Sequence, residues 1–210
     1  MRALRNVGLA VLLVVTASTT ARAADWSLLG GDTLGVHDGG LRVGVGWPDF
    51  HVAYHAPITS DFEIAPKLGF VYGFPSVNSC CFFGNTLTAE MRYEFLSDGD
   101  LHLALRPEIG VGLGYTPVFA FDIRLGLGLA GSYAVSQKVN ILFSFDIPVD
   151  LIVHPAVVAS IPLLFGFGTE FVPKGPFMLW ADLRLGPDIG APGGFVTFGL
   201  IGQAGVGFKF

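Results

Sequence analysis

Charged residues in the middle of this chain recur two positions apart: Glu90 and Arg92, Arg106 and Glu108, Asp122 and Arg124, Asp182 and Arg184, with Asp146 on the same parity of its own segment. In an extended strand, residues two apart share a face, so these nine side chains form one polar surface. Two chemistries suit such a surface. One is a salt-bridge network that fills a narrow interior. The other is a lining that passes small polar solutes, with the excess of carboxylates raising the local cation concentration. A turn at Asp98-Gly99 allows two registers between the flanking segments. The first sets Glu90 against Glu108 and Arg92 against Arg106, and the second sets Glu90 against Arg106 and Glu94 against His102. Like charges directly opposite are unfavourable, so the second is expected.

Other residue types give weaker signals. Asp150 and His154 share a strand face, but at i, i+4 they are ~13 Å apart from the rise per residue, too far for an acid–base pair. His51 and His55 fall on the polar face of an early segment, and there is no Gly-x-Ser-x-Gly elbow. The glycine runs at 110–114 and 126–128 open no helix after a strand, which a phosphate cradle needs. The two cysteines, Cys80 and Cys81, are adjacent. Neighbouring cysteines cannot adopt relaxed disulfide geometry and lack the spaced partners of a zinc site. The expectation is a non-enzymatic protein with no catalytic residue, cofactor or metal.

The elements that carry these residues are strands. In residues 119–135, Phe119, Phe121, Ile123, Leu125, Leu127, Leu129 and Tyr133 alternate with Asp122, Arg124, glycines and Ser132. The same period of two runs through 87–95, 101–115, 140–150, 177–186 and 196–210, with shorter or less regular segments at 41–47, 50–55, 62–72 and 157–171. Tight polar turns at 59–61, 97–99, 136–138 and 173–176 alternate with separators at 47–49, 73–85, 115–119, 154–157 and 190–194. Ten strands result, with both ends on one side. If Pro48 marks a bulge and not a turn, the count falls to eight with a loose N-terminal segment. Inward glycines at 110, 112, 114, 126, 128, 205 and 207 either leave room for a pore or permit the strong coiling of a small barrel.

Of the 210 residues 51% are hydrophobic and 14% charged, yet no uninterrupted apolar run beyond the N-terminus reaches the 18 or so of a membrane helix. Arg2 and Arg5, the apolar run 7–15 and Ala21-Arg22-Ala23 read as a secretory signal over residues 1–23. Residues 24–40, rich in Gly and Asp, read as a lead-in, and 41–210 as the barrel. Removing Arg2, Arg5 and Arg22 takes the basic residues from 12 to 9 against 17 acidic ones, a balance of −8 that argues against nucleic acid as a partner.

Residues 194–210 alternate Val196, Phe198, Leu200, Ala204, Val206, Phe208 and Phe210 with small and polar residues. A strand that is apolar on one side and polar on the other, ending in an aromatic, resembles the C-terminal strand of small bacterial outer-membrane β-barrels. The resemblance implies an all-β, single antiparallel transmembrane barrel in the outer membrane, with lipid and the barrel-assembly machinery as partners. It also implies that Phe208 and Phe210 serve as an assembly signal. Two roles follow: a structural barrel or narrow, weakly cation-preferring channel, or a surface barrel whose 73–85 loop, with Phe74, Cys80, Cys81, Phe82 and Phe83, contacts a partner.

Overall fold

The computed structural model describes residues 26–73, 80–116, 118–173, 175–191, 194 and 196–210, and among them there is no helix. The signal sequence expected over residues 1–23 and Phe74 lie outside the described residues. Twelve strands follow in order: β1 (Gly40–Trp47), β2 (Asp49–Pro57), β3 (Phe62–Gly73), β4 (Cys80–Asp98), β5 (Leu101–Leu105), β6 (Glu108–Thr116), β7 (Ala120–Ser136), β8 (Val139–His154), β9 (Val158–Pro162), β10 (Leu164–Phe171), β11 (Phe177–Ala191) and β12 (Val196–Lys209).

These twelve make ten staves. β5 and β6 both lie between β4 and β7, and β9 and β10 both lie between β8 and β11. The interruptions fall beside Pro107 and Pro162, which have no N–H to give a ladder. The ladder nevertheless continues across them, through paired bonds between Arg106 and Gly128 and through Leu163 N–H to the Pro187 carbonyl at 2.8 Å. All neighbours are antiparallel, and β1 pairs with β12 from Gly40↔Lys209 to Trp47↔Gly202, which closes the sheet. Val45↔Phe50 and Gly44↔His51 place Pro48 in a hairpin turn. The chain is therefore a closed ten-strand antiparallel barrel, as its alternation predicts.

The barrel is inside out by the standards of a water-soluble fold. Outward positions such as Leu68, Leu87, Ile109, Leu127, Phe167, Leu183 and Phe198 are largely exposed, while Arg42, Glu63, Glu90, Arg92, Asp146 and Glu170 are buried. An apolar band outside and polar residues inside is the arrangement a bilayer selects. Tyr54, Tyr93 and Tyr115 are exposed on the apolar face, as are Phe208 and Phe210. Phe210 stacks on Tyr54 with centroids 6.1 Å apart and exchanges backbone hydrogen bonds with Gly39.

Two expectations need correction. The separator at 73–85 is shorter than expected, because Cys80 already pairs with Gly73 and β4 runs as strand from Cys80. A hairpin keeps its ladder for as long as both chains remain extended, and β3 and β4 do so past an irregularity at Val71/Gly73. Of the residues assigned to an interaction loop, Cys80, Cys81, Phe82 and Phe83 are thus strand residues. Phe83 is exposed beside Phe70, with ring centroids 6.3 Å apart. The second correction concerns the lead-in. Trp26, Ser27, Leu28, Leu29, Asp32 and Leu34 are all buried, and the apolar core of the molecule forms around them. Four apolar side chains in a short segment need cover, and the barrel interior supplies it.

Candidate functional site

The site is the lumen, and it has two parts. At the end where the tight turns and the chain termini of the barrel lie, residues 26–34 fill it as a plug. Leu28 and Leu34 pack with Trp26, Val172 and Met178, and Leu29 packs with Leu142 and Trp180. Wall glycines make the space: a Cβ on Gly207 would stand 2.6 Å from Leu28, and one on Gly40 would stand 2.8 Å from both Leu28 and Leu34. The ambiguity of the inward glycines is thereby resolved at these positions. They leave room for a plug.

A plug inside a barrel must satisfy its backbone without joining a sheet. Here the wall does so with charged side chains. Glu170 accepts the N–H groups of Leu28 and Leu29, both at 2.9 Å, through one carboxylate oxygen, and the other oxygen receives the Asn140 amide at 3.3 Å. Glu63 accepts the Leu34 N–H at 3.1 Å, and its second oxygen is held by Arg92 at 2.6 Å and by His55 at 2.7 Å. Ser132 accepts from Gly31 at 3.1 Å and Glu94 from Thr33 at 3.1 Å. The carbonyls are met by guanidinium groups. Arg92 donates to Ser27 and Gly30, both at 3.1 Å, Arg42 to Leu28 at 3.1 Å, and Arg106 to Leu29 at 3.5 Å. Carboxylates on N–H groups and arginines on carbonyls are charge-assisted bonds, about twice as strong as neutral ones. None of them reads the plug's side chains.

Beyond the plug the lumen widens into a cavity of about 130 Å³ that Leu29 touches from the plug side. Here wall charges pair with one another. Lys67 meets Glu108 at 2.9 Å, Arg124 meets Asp122 at 3.1 Å and Asp150 at 3.6 Å, and Arg184 meets Asp182 at 2.6 Å and Asp146 at 3.5 Å. His51 bonds to Asp49 at 2.9 Å, with Gln203 on the same carboxylate at 2.6 Å, and stacks on Trp180 at 6.0 Å. Asp150 bonds within this network, whereas the exposed His154 packs on Phe119.

All nine residues of the expected charge network lie on the lumen face, but not in the expected pairs. Glu90 stands opposite Glu108, the register that the like-charge argument rejects. It is tolerated because cations arrive from other strands: Arg42 of β1 reaches Glu90 at 3.3 Å, and Lys67 of β3 reaches past β4 to Glu108 at 2.9 Å. Arg106 pairs with Asp146 at 2.6 Å and not with Glu90. Nearer the turn a bulge between Glu94 and Leu96 shifts the register, setting Ser97 opposite His102. His102 still reaches Glu94, at 2.9 Å.

Sequence reasoning assigned no site role to residues 26–34 or to Glu170, Glu63, Arg42, Ser132 and Asn140, although the period of two sets Glu63, Ser132 and Asn140 on the inward face. The signal for the plug is compositional: Trp26, Leu28, Leu29 and Leu34 sit among glycines and aspartates with no strand period.

No protein-family model matches the chain, and no curated protein matches it. Similar solved structures include OmpT folded in vitro, an outer membrane protein of Vibrio cholerae (12% identity, TM-score 0.39, 84% of this chain and 62% of that chain). Its loop L8 deletion mutant is similar at 13% identity and TM-score 0.38, over 82% of this chain and 59% of that one. A bacterial polysaccharide outer membrane secretin is similar at 14% identity and TM-score 0.43, over 82% and 63%. The chain spans about three fifths of the length of each of these.

Proposed function

We propose that this chain is a non-enzymatic barrel of the bacterial outer membrane, closed by its own segment 26–34, which conducts small cations when that segment leaves the lumen. The observation that carries this reading is how the plug is held. Among the described residues no backbone–backbone hydrogen bond joins 26–34 to the wall; side chains make every link. The plug can therefore depart without breaking one strand pairing. A barrel that is purely structural can fill itself with wall side chains alone.

The preference for cations follows from the balance of charge. Among the described residues seven cationic side chains face the lumen or its plugged mouth: Arg42, Lys67, Arg92, Arg106, Arg124, Arg184 and Lys209. Eleven carboxylates face them: Asp49, Glu63, Glu90, Glu94, Glu108, Asp122, Asp146, Asp150, Glu170, Asp182 and Asp188. Once the plug has gone, the surplus of negative charge attracts cations and repels anions.

The test is planar-bilayer recording of the refolded protein beside a variant lacking residues 26–34 and beside Leu28→Asp, which puts a charge in the plug's apolar seat. Small or absent currents from the intact protein and larger, cation-selective currents from both variants are expected. Equal conductance from all three, with β-sheet content unchanged by circular dichroism, overturns the proposal.

A further inference from the structure

At the mouth of the plugged end, three potential metal ligands converge from different parts of the chain. Asp32 belongs to the segment that forms the plug, Glu94 to β4 and His102 to β5, and one ligand atom from each lies within 4.8 Å of the others. His102 Nδ1 is crowded. Glu94 Oε1 is 2.9 Å away, Ser97 Oγ 3.2 Å and Asp32 Oδ1 2.6 Å. A single ring nitrogen carries at most one proton and cannot donate along three directions. Asp32 is 8% exposed, and its Oδ1 makes no hydrogen bond despite that short approach, so a buried carboxylate oxygen aims at the nitrogen with no proton in line.

We propose that Asp32, Glu94 and His102 bind a zinc-like divalent cation that clasps the plug to the β4–β5 wall. A cation answers what a proton cannot, because it accepts several donors at once. One imidazole and two carboxylates suit a borderline ion such as Zn²⁺ better than Ca²⁺ or Mg²⁺, which prefer all-oxygen shells. Zinc ligands at ~2.0–2.2 Å in a tetrahedron lie roughly 3.4 Å apart. The two close approaches to His102 therefore open by less than ~1 Å to admit the ion. The three side chains are 12–15% exposed, so water can complete the coordination shell.

The site also sits where it matters. Thr33, next to Asp32, gives its N–H to Glu94 Oε2 at 3.1 Å and its hydroxyl to the Ser60 carbonyl at 2.5 Å. Gly31, on the other side, lies so close to β5 that a Cβ would stand 2.2 Å from the His102 carbonyl. An ion at this point fixes the plug where it already touches the wall, so its occupancy governs how readily the plug leaves.

The experiment uses the refolded mature protein in detergent, titrated with Zn²⁺ by calorimetry and with Co²⁺ by its visible absorption. Amide exchange over residues 28–34 is followed with and without zinc. One ion per chain is expected, with affinity falling at least tenfold in Asp32→Asn and Glu94→Gln and lost in His102→Gln. His37→Gln and His154→Gln, which alter exposed histidines, leave it unchanged. Zinc is expected to slow exchange of the plug amides about tenfold in the parent protein and not in His102→Gln. Absence of stoichiometric binding, or binding undiminished by Asp32→Asn and His102→Gln, overturns the site and leaves a protonated histidine between two carboxylates. Binding without any effect on plug exchange overturns the clasp. These readouts do not depend on conductance, so the site and the channel reading stand or fall separately.

Discussion

The two halves of the lumen are walled by the same kinds of side chain and use them in opposite ways. In the plugged half, Arg92, Glu63 and Glu170 direct hydrogen bonds to the backbone of residues 27–34 in addition to the wall partners that orient them, such as the Arg92–Glu63 pair. In the open half, Lys67, Arg124 and Arg184 spend theirs on neighbouring carboxylates. The arginines differ in exposure: Arg92 is 1% exposed and Arg124 20%, although the Asp122 and Asp182 partners in the open half are only 6% and 7% exposed. Burial sets what each bond contributes. A pair taken out of water is costly to break on one side, whereas an accessible pair is replaced in large part by hydration. A barrel can thus keep one half fixed and the other adjustable with a single alphabet of residues.

The sharpest way to break this comparison is to remove the same residue type from each half. Arg92→Met strands Glu63 beside His55 and leaves two plug carbonyls unpaired, so a loss of about 3–5 kcal/mol in refolding stability is expected. Arg124→Met, in the open half, is expected to cost less, about 1–3 kcal/mol, since the guanidinium is 20% exposed even though Asp122 and Asp150 are only 6% and 12% exposed. Urea refolding midpoints of the two variants measure the difference. Equal losses would show the open half to be as dry as the plugged one.

Next in size is the apolar seat of the plug. Leu28→Ala removes a fully buried side chain that packs against the wall at Gly40 and Gly207. A loss within the Leu→Ala range of about 2–5 kcal/mol is expected for seating of the plug. Because no strand pairing involves this residue, the barrel itself stays folded. Amide exchange separates the two effects: residues 28–34 lose protection while β7 and β8 retain theirs. Global loss of protection would mean that plug and wall fold as one unit.

This separation explains what could be read in the sequence. The wall was legible because lipid outside and charge inside impose a period of two on every stave, as in Leu125, Leu127 and Leu129 against Arg124, Gly126 and Gly128. The plug was not, since a segment paired to side chains and not to a ladder carries no period at all. Pairing inside the lumen was illegible for another reason. Whether Glu90 can face Glu108 depends on Arg42 and Lys67, which come from β1 and β3, and a hairpin considered alone contains neither. The bulge at Glu94/Leu96 then moves the register near the turn, where the like-charge rule alone chose between two registers.

A smaller effect probes how the plug's backbone is held. Glu170→Gln keeps one acceptor oxygen for the N–H groups of Leu28 and Leu29 but loses the charge and turns the other position into a donor facing the Asn140 amide. Losing the charge assistance is expected to cost about 1–2 kcal/mol. The readout is faster exchange of the Leu28 and Leu29 amides, with those of Thr33 and Leu34, held by Glu94 and Glu63, changed less. Uniform acceleration across 28–34 would indicate that the plug leaves as a single piece and that its contacts are not independent.

The smallest expected effect lies in the open half, at the place where the register defies the like-charge rule. Lys67 pairs with Glu108, and with Lys67 in place Glu90 and Glu108 stand opposite each other without mutual relief from their own strands. Lys67→Met removes the cation and leaves the two carboxylates facing across one ladder step. With side chains 18% and 28% exposed, the pair is accessible enough that about 1 kcal/mol or less is expected from its loss. Much of that cost is repulsion between Glu90 and Glu108, so it should shrink as salt is raised toward 1 M, where the screening length falls to ~3 Å. Adding Glu108→Gln removes the repulsion at its source and is expected to restore most of the stability, giving a favourable coupling in the double-mutant cycle. The same two variants bear on conduction. In a background lacking residues 26–34, Lys67→Met should sharpen the preference for cations, and the double variant should bring it back toward the parent. A salt-independent loss as large as that of Arg92→Met would mean that water does not reach these charges, and the distinction between the two halves would fail at its most accessible point.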